Sequence, residues 1–590
     1  MTQIDETAAE PAADARALGS LLAALAPLFA TIASIPAFAP VAGGGRAIDA
    51  ALALAPTAPP GYPLAALVLR ACTLLPLGPI ALRAALGSAL LHALAAAALY
   101  RAIDSGLRAG SGVRPLVASP LALGLSAIAF GSAPLFVDGA WPHAAAIALC
   151  CTCLERLVAF ERARPALVLA PLRAAALLWA LLLAEQPALA ACVLVAAWPG
   201  LRRALGEYRL PAWNLAPLAL GLPLWLYAPL AHAPEAGLPH ASSPLAALQA
   251  AFAFAGEARQ WPEQLPVASL APLALGAVGA IGALLALRTP ARRSYGALWS
   301  GAGLSALAGA LGLRHSAPCW ALALCGAAAL AAFALAPLLA GDRKSKLAPV
   351  LAVGLVALGL SQLQATARAA LAFDWTASDA LSDTLRRTLP ARSALLLAPE
   401  LASAFVDAER EERARPDLLV ALQPWLLDLP AAERVAERDP ELMPLLRALL
   451  LAEQPPARAA SRHGAPRALP DRELPLVELT ALAARRPVLL ELGAEPGASV
   501  HAVLLPYALY HQVSTHAVTR SDIELAARER DQRLARLYRT LDPTRLDPAA
   551  TRLLIERHSA ELAHALSIAD PALAARARES LHHITVNAKP

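Results

Sequence analysis

Asp138 and His143 stand five residues apart across one short connection between apolar stretches. At that spacing a carboxylate and an imidazole can face one cavity, where they could take a proton from a hydroxyl or hold a cation. A second carboxylate, Asp49, follows the run Gly43-Gly44-Gly45-Arg46. Open glycine N–H groups beside a guanidinium suit a phosphate, although a flexible connector has the same composition. Next comes Pro56-Thr57-Ala58-Pro59-Pro60-Gly61-Tyr62-Pro63. This run cannot continue a helix, because each proline ring fixes φ and removes an N–H. Ala58 is pushed towards an extended conformation by the proline after it. The run therefore predicts a rigid loop in which Pro59, Pro60, Gly61 and Tyr62 can line a substrate. Glu185, His232, Glu235 and His240 add polar groups at other apolar ends. Taken singly, each of these also reads as a solvated residue in a loop.

The elements that must position these groups follow from composition. The 590 residues are 57% hydrophobic with a mean hydropathy of +0.51, far more apolar surface than a soluble chain could bury. An integral membrane protein is expected, with lipid as its first partner. Net charge is +5, and the basic residues fall in short loops rather than on one face, which argues against nucleic-acid binding. The seven cysteines all lie inside apolar stretches. Cys150, Cys151 and Cys153 cluster in sequence, but no histidine or carboxylate stands beside them at metal spacing, so they read as small apolar packing. The first fifteen residues are acidic and polar, so the apolar span from Ala17 is expected to be a retained anchor.

Windows of about 20 residues predict about eleven spans. They lie near 17–38, 82–103, 115–136, 143–160, 166–184, 187–200, 212–231, 267–287, 296–313, 317–340 and 347–365. One set of loops is rich in arginine: Arg101, Arg108 and Arg114; Arg156, Arg162 and Arg164; Arg202, Arg203 and Arg209; Arg288, Arg292 and Arg293; then Arg343. The opposite set holds far fewer. The positive-inside rule puts the rich set, and with it the tail 1–16, in the cytoplasm. The proline loop and everything after 365 then lie outside.

Beyond residue 366 no stretch has membrane length. Apolar runs at Ser393–Leu397, Leu418–Leu422, Val488–Leu492 and Val503–Leu505 predict buried strands. They alternate with helical patterns at 377–389, 401–414, 521–541 and 549–566. The expectation for 366–590 is an extracytoplasmic α/β domain with a helical tail whose charges form a solvated face. Arg415-Pro416-Asp417 reads as a turn into a strand or as an acceptor loop.

Taken together, residues 59–100 resemble the protein O-mannosyltransferase-like membrane family of bacteria. The resemblance rests on Pro-Pro-Gly-Tyr-Pro-Leu, Leu74-Leu75-Pro76-Leu77-Gly78, Arg83, Ser88 and Ala-Ala-Ala-Leu-Tyr at 96–100. Phe130–Phe136, Leu222–Leu230 and Asp379–Leu389 are similar to later parts of that family. The resemblance implies a GT-C-type glycosyltransferase fold and transfer of a sugar from a polyprenyl-phosphate donor to a glycan acceptor, outside the bacterial inner membrane. It also implies an acidic residue in the first outer loop and admits a divalent metal. The family's Asp-x-Gly-Glu falls here on Gly43-Gly44-Gly45-Arg46, and its histidine on Ala58. Its Asn-His near residue 186 is Glu185-Gln186, and its arginine after Pro229-Leu230 is Ala231. Asp49 and Asp138 are the candidate replacement carboxylates, with Arg46, His143 and His232 on the substrate. The alternative is a catalytically degenerate relative that binds lipid-linked glycan or scaffolds an envelope complex. A transporter is disfavoured, because ionisable residues are scarce within the spans and no repeat of spans is evident.

Overall fold

The computed structural model describes residues 10–33, 63–77, 80–108, 113, 115–131, 141–162, 169–207, 212–221, 223–224, 271–313, 317–339, 347–372, 388–397, 417–422, 436–437, 439–451, 475–491, 498–540 and 548–587. The first part is a helical bundle: α1 (Glu10–Ala33), α2 (Pro63–Thr73), α3 (Ile80–Arg108), α4 (Pro115–Gly131), α5 (Trp141–Arg162) and α6 (Leu169–Glu185). It continues with α7 (Pro187–Glu207), α8 (Ala271–Arg288), α9 (Arg293–Gly312), α10 (Ala317–Leu339) and α11 (Leu347–Ala372). Proline opens α2, α4 and α7, the helix position where its missing N–H costs nothing.

Among the described residues, four helices are long and apolar enough to cross a bilayer: Leu82–Arg108, His143–Arg162, Pro318–Pro337 and Ala348–Ala365. This is the make-up of a helical membrane protein, in which each span satisfies its own backbone. Large apolar side chains face outwards on α8 (Leu273, Leu284) and α11 (Val350, Val353), as a lipid surface requires. The expected span at 212–231 opens instead as a 3₁₀ segment, Ala212–Gly221, with Pro217 inside it. Helix α2 is an element the hydropathy windows passed over, being only 11 residues long.

Small residues let the helices approach closely, the usual device where lipid supplies no hydrophobic drive. A Cβ on Gly124 of α4 would lie 2.7 Å from the Leu355 carbonyl carbon of α11, and one on Gly359 would lie 2.8 Å from the Gly124 oxygen. Helix α8 meets α10 in the same way, where a Cβ on Gly282 would collide with the Leu330 carbonyl. All seven cysteines are buried free thiols. Cys151 meets Cys325 and Cys192 meets Cys319, so these thiols fasten α5 and α7 to α10.

One end of the bundle is closed by buried charge. Asp104 of α3 is fully buried, and Arg108 (2.9 Å) and Arg16 of α1 (3.5 Å) ion-pair with it. Ser119 of α4 donates to Asp104 at 3.2 Å. Arg101 grips both oxygens of Glu155 on α5, at 3.0 and 3.3 Å. Arg101 and Arg108, expected in a loop, thus belong to the last two turns of α3, where they tie α1, α4 and α5 together.

Residues 388–587 carry a second hydrophobic core, built on a five-stranded sheet in the order β2-β1-β3-β5-β4. Strands β1 (Ala394–Leu397), β2 (Leu419–Leu422) and β3 (Val488–Leu490) are parallel and almost continuously apolar. Strands β4 (Leu504–Tyr507) and β5 (Tyr510–Val513) form an antiparallel hairpin turned through Ala508, at φ 48°. Helices α12 (Met443–Leu451), α13 (Leu476–Ala483) and the short α14 (Ala498–His501) flank the strands. Three helices follow: α15 (Arg520–Thr540), α16 (Pro548–Ser567) and α17 (Pro571–Asn587). Leu534, Leu554 and Ile584 from these three helices complete the core of the sheet. The tail therefore packs its apolar side on the sheet, while Arg520, Glu524, Arg528, Glu529, Glu556, Arg578 and Glu579 are exposed, as expected of a solvated face; Arg530, Arg557 and Glu561 are buried. The expected helices at 377–389 and 401–414 fall almost wholly outside the described residues, as do the pieces 132–136, 225–230 and 379–387 of the family resemblance.

Replacing Gly282 by leucine is expected to push α8 from α10 and cost about 1–3 kcal/mol. Gly276→Leu, where no atom lies within 4 Å of a Cβ, is expected to be nearly neutral. Thermal unfolding of the two variants in detergent checks this; equal losses would contradict it.

Candidate functional site

The other end of the bundle holds Glu185 and His143, two of the groups that the sequence singled out. Helix α2 begins directly after the proline loop, and its first turn must satisfy N–H groups that have no partner within the helix. Pro63 has no N–H to satisfy. Glu185, the last residue of α6, takes the next two: Leu64 donates to its Oε2 at 2.7 Å and Ala65 to its Oε1 at 3.0 Å. The Glu185 side chain is wholly buried, and its carboxyl oxygens lie at the positive end of the α2 dipole. The opposite end of α2 is held by a guanidinium, because Arg83 of α3 donates to the Thr73 carbonyl at 2.9 Å. Ala65 packs on Ala145 of α5, two residues from half-buried His143, with Leu91 of α3 beside them.

Next to Glu185, the Gln186 side chain is also buried, and its Oε1 accepts no hydrogen bond among the described residues. His92 lies next to Leu91 on α3 and is buried as well. The start of α2 and the Glu185 side chain thus come together, although 121 residues separate Leu64 from Glu185 in sequence.

Of the sequence-based candidates, His143 and Glu185 are among the described residues. Arg46, Asp49, Pro59, Pro60, Gly61, Tyr62, Asp138 and His232 lie outside them. Tyr62 directly precedes the first residue of α2, and Asp138 stands three residues before α5. The chemistry open to this end is limited by one fact. Glu185 already accepts from the backbone of α2, so the Leu64 and Ala65 N–H groups are not open to an anion. Among the described residues no three His, Cys, Asp or Glu side chains are arranged to hold a metal.

In the C-terminal part, Asp417 accepts the Arg392 N–H at 2.9 Å and so ties the entries of β1 and β2, the role of a turn. His501 and His511 meet a partner that sequence spacing does not reveal, His564 of α16, 63 residues beyond His501. His516 stays apart, beside Ser514 and Thr515.

No protein-family model, curated protein or solved structure matches the chain.

Each unsatisfied buried N–H costs about 1–3 kcal/mol. Glu185→Ala, which orphans both, is expected to lower stability by about 2–4 kcal/mol, and Glu185→Gln, which keeps one acceptor oxygen, by less. Unfolding in detergent checks the ranking; an unaffected Glu185→Ala would show that the cap holds nothing.

Proposed function

We propose that this chain is a GT-C-like glycosyltransferase of the bacterial inner membrane, which uses a polyprenyl-phosphate sugar on the extracytoplasmic side. The reading rests above all on the clamp on α2. A buried carboxyl group fixes the start of α2, the element that follows the Gly- and Pro-rich segment 43–62 in the sequence, and a site next to a fixed element can orient a substrate. The residue resemblance over 59–100 supports the same reading.

Orientation follows from where the arginines gather. Arg16, Arg101, Arg108 and Arg156 share the Asp104 end. Glu161, Gly200 and Ser294 line one cleft, which brings Arg162, Arg202 and the turn Arg288–Arg293 to that end too. By the positive-inside rule this end is cytoplasmic. The Glu185 end and the sheet domain are then extracytoplasmic, and the helices make up about eleven spans.

In the transfer, an acceptor hydroxyl attacks the anomeric carbon and the bond from that carbon to the phosphate oxygen breaks. The hydroxyl proton passes to a carboxylate, for which Asp49 and Asp138 are the candidates. Arg46, or a divalent metal held by those carboxylates, matches the charge left on the phosphate. His143, His232 and Pro59–Tyr62 would line the donor. Glu185 is a positioning residue.

The engagement of Glu185 with the α2 backbone also favours a second reading, a relative that binds lipid-linked glycan without turning it over. Membranes containing the protein, supplied with labelled polyprenyl-phosphate sugars, separate the two. Transfer that falls at least a hundredfold in Asp49→Ala or Asp138→Ala is the expected result. Absence of transfer from every donor, with glycan binding intact, selects the second reading.

A further inference from the structure

The densest group of buried titratable side chains outside the membrane bundle lies where the tail meets the sheet. His501 at the end of α14 and His564 of α16 stack with ring centroids 5.0 Å apart, joined Nδ1 to Nδ1 at 2.7 Å. His511 of β5 stands edge-on to His564 at 4.8 Å. One nitrogen of the 2.7 Å pair must donate and the other accept, so the accepting Nδ1 has to be unprotonated. Nε2 of His511 and Nε2 of His564 are buried with no hydrogen-bond partner among the described residues. Protons added there would sit as unsolvated charge.

The charges around the stack offer little compensation. Arg530 of α15 is almost wholly buried and acts on His511 with its own positive charge. Glu561 of α16 is already paired with Arg530, and His558 Nδ1 lies 3.2 Å from its other oxygen. Asp531 is shared by Arg530 and Arg576 of α17, at 2.8 and 2.9 Å. Glu491, at the end of β3, is paired with Arg557 of α16. Among the described residues, Asp570, between α16 and α17, is the one acidic group that favours charge on His564. Its carboxylate already accepts the N–H groups of Ala572 and Leu573, both at 3.0 Å.

From this geometry we propose that the histidine stack is an acid-operated latch: neutral, it holds α15–α17 on the sheet, and protonated, it releases them. Burial pushes His558 and His564 down to about 4 and His511 well below its ordinary value. A histidine in the released tail titrates near 6.5. The released state therefore binds more protons than the docked one. The docked tail is fully stable above about pH 6.5 and loses stability as pH falls from there towards 4.

Hydrogen exchange on the full-length protein in detergent, corrected for the pH dependence of amide chemistry, tests the latch between pH 7.5 and 4.5. Peptides from 548–587 are expected to lose protection below about pH 6.5, while those from 141–162 keep theirs. With three protons taken up, the opening constant rises by up to about a thousandfold per pH unit. His511→Phe and His564→Phe are each expected to lower that steepness by about one proton. Tail protection that persists to pH 4.5, or tail and bundle opening together, would overturn the proposal. So would a steepness unchanged in both variants. If either variant fails to fold, the wild-type profile decides alone.

Discussion

Two backbone N–H groups and one carboxyl group set the layout of the Glu185 end. A short helix that starts inside an apolar bundle has donors that lipid cannot accept, so α2 exists there only because something polar meets its first turn. Pro63 removes one donor and Glu185 accepts from the next two. Arg83 completes the arrangement at the other end of α2, on the Thr73 carbonyl. Acceptor oxygens at the helix start and a guanidinium at its finish both suit the dipole, and the helix is fixed between α3 and α6.

The same economy governs the rest of the molecule. Asp104 and Glu155 are buried where arginines from neighbouring helices reach them, and in the sheet domain Glu491 and Glu561 each face an arginine. Pairs of this kind add little net stability, but removing one partner is costly, so they fix which helix sits beside which. The apolar contacts between α4 and α11, or α8 and α10, are built from glycine and alanine and carry less information about register. Charge supplies the register, and small residues supply the closeness.

Much of this was legible in the sequence, and the gaps have physical causes. Long apolar runs announce α3, α5 and α10 because a span must be continuously apolar, and the runs at 394–397, 419–422 and 488–490 announce parallel strands for the same reason. Strand β5 carries His511 and Gln512 between apolar neighbours and so gives a weaker signal. Helix α2 is too short for a membrane window. Glu185 was visible as a polar group at a span end, but its partners lie 120 and 121 residues earlier, and no local pattern links them. The pairing of His501 with His564 is hidden in the same way, since a side-chain meeting across 63 residues is a product of the fold. Within the tail, the buried Arg530, Arg557 and Glu561 could not be told from their exposed neighbours, because arginine and glutamate at helical spacing look alike whether they face water or each other.

The account depends most directly on Glu185 holding the start of α2. Amide exchange at Leu64 and Ala65, measured in the folded protein with glutamate or alanine at 185, addresses that single point. Slow exchange at both amides in the native chain, lost together in Glu185→Ala while the α5 amides stay protected, is the predicted result. Fast exchange at Leu64 and Ala65 in the native chain, or protection that survives the substitution, would contradict it.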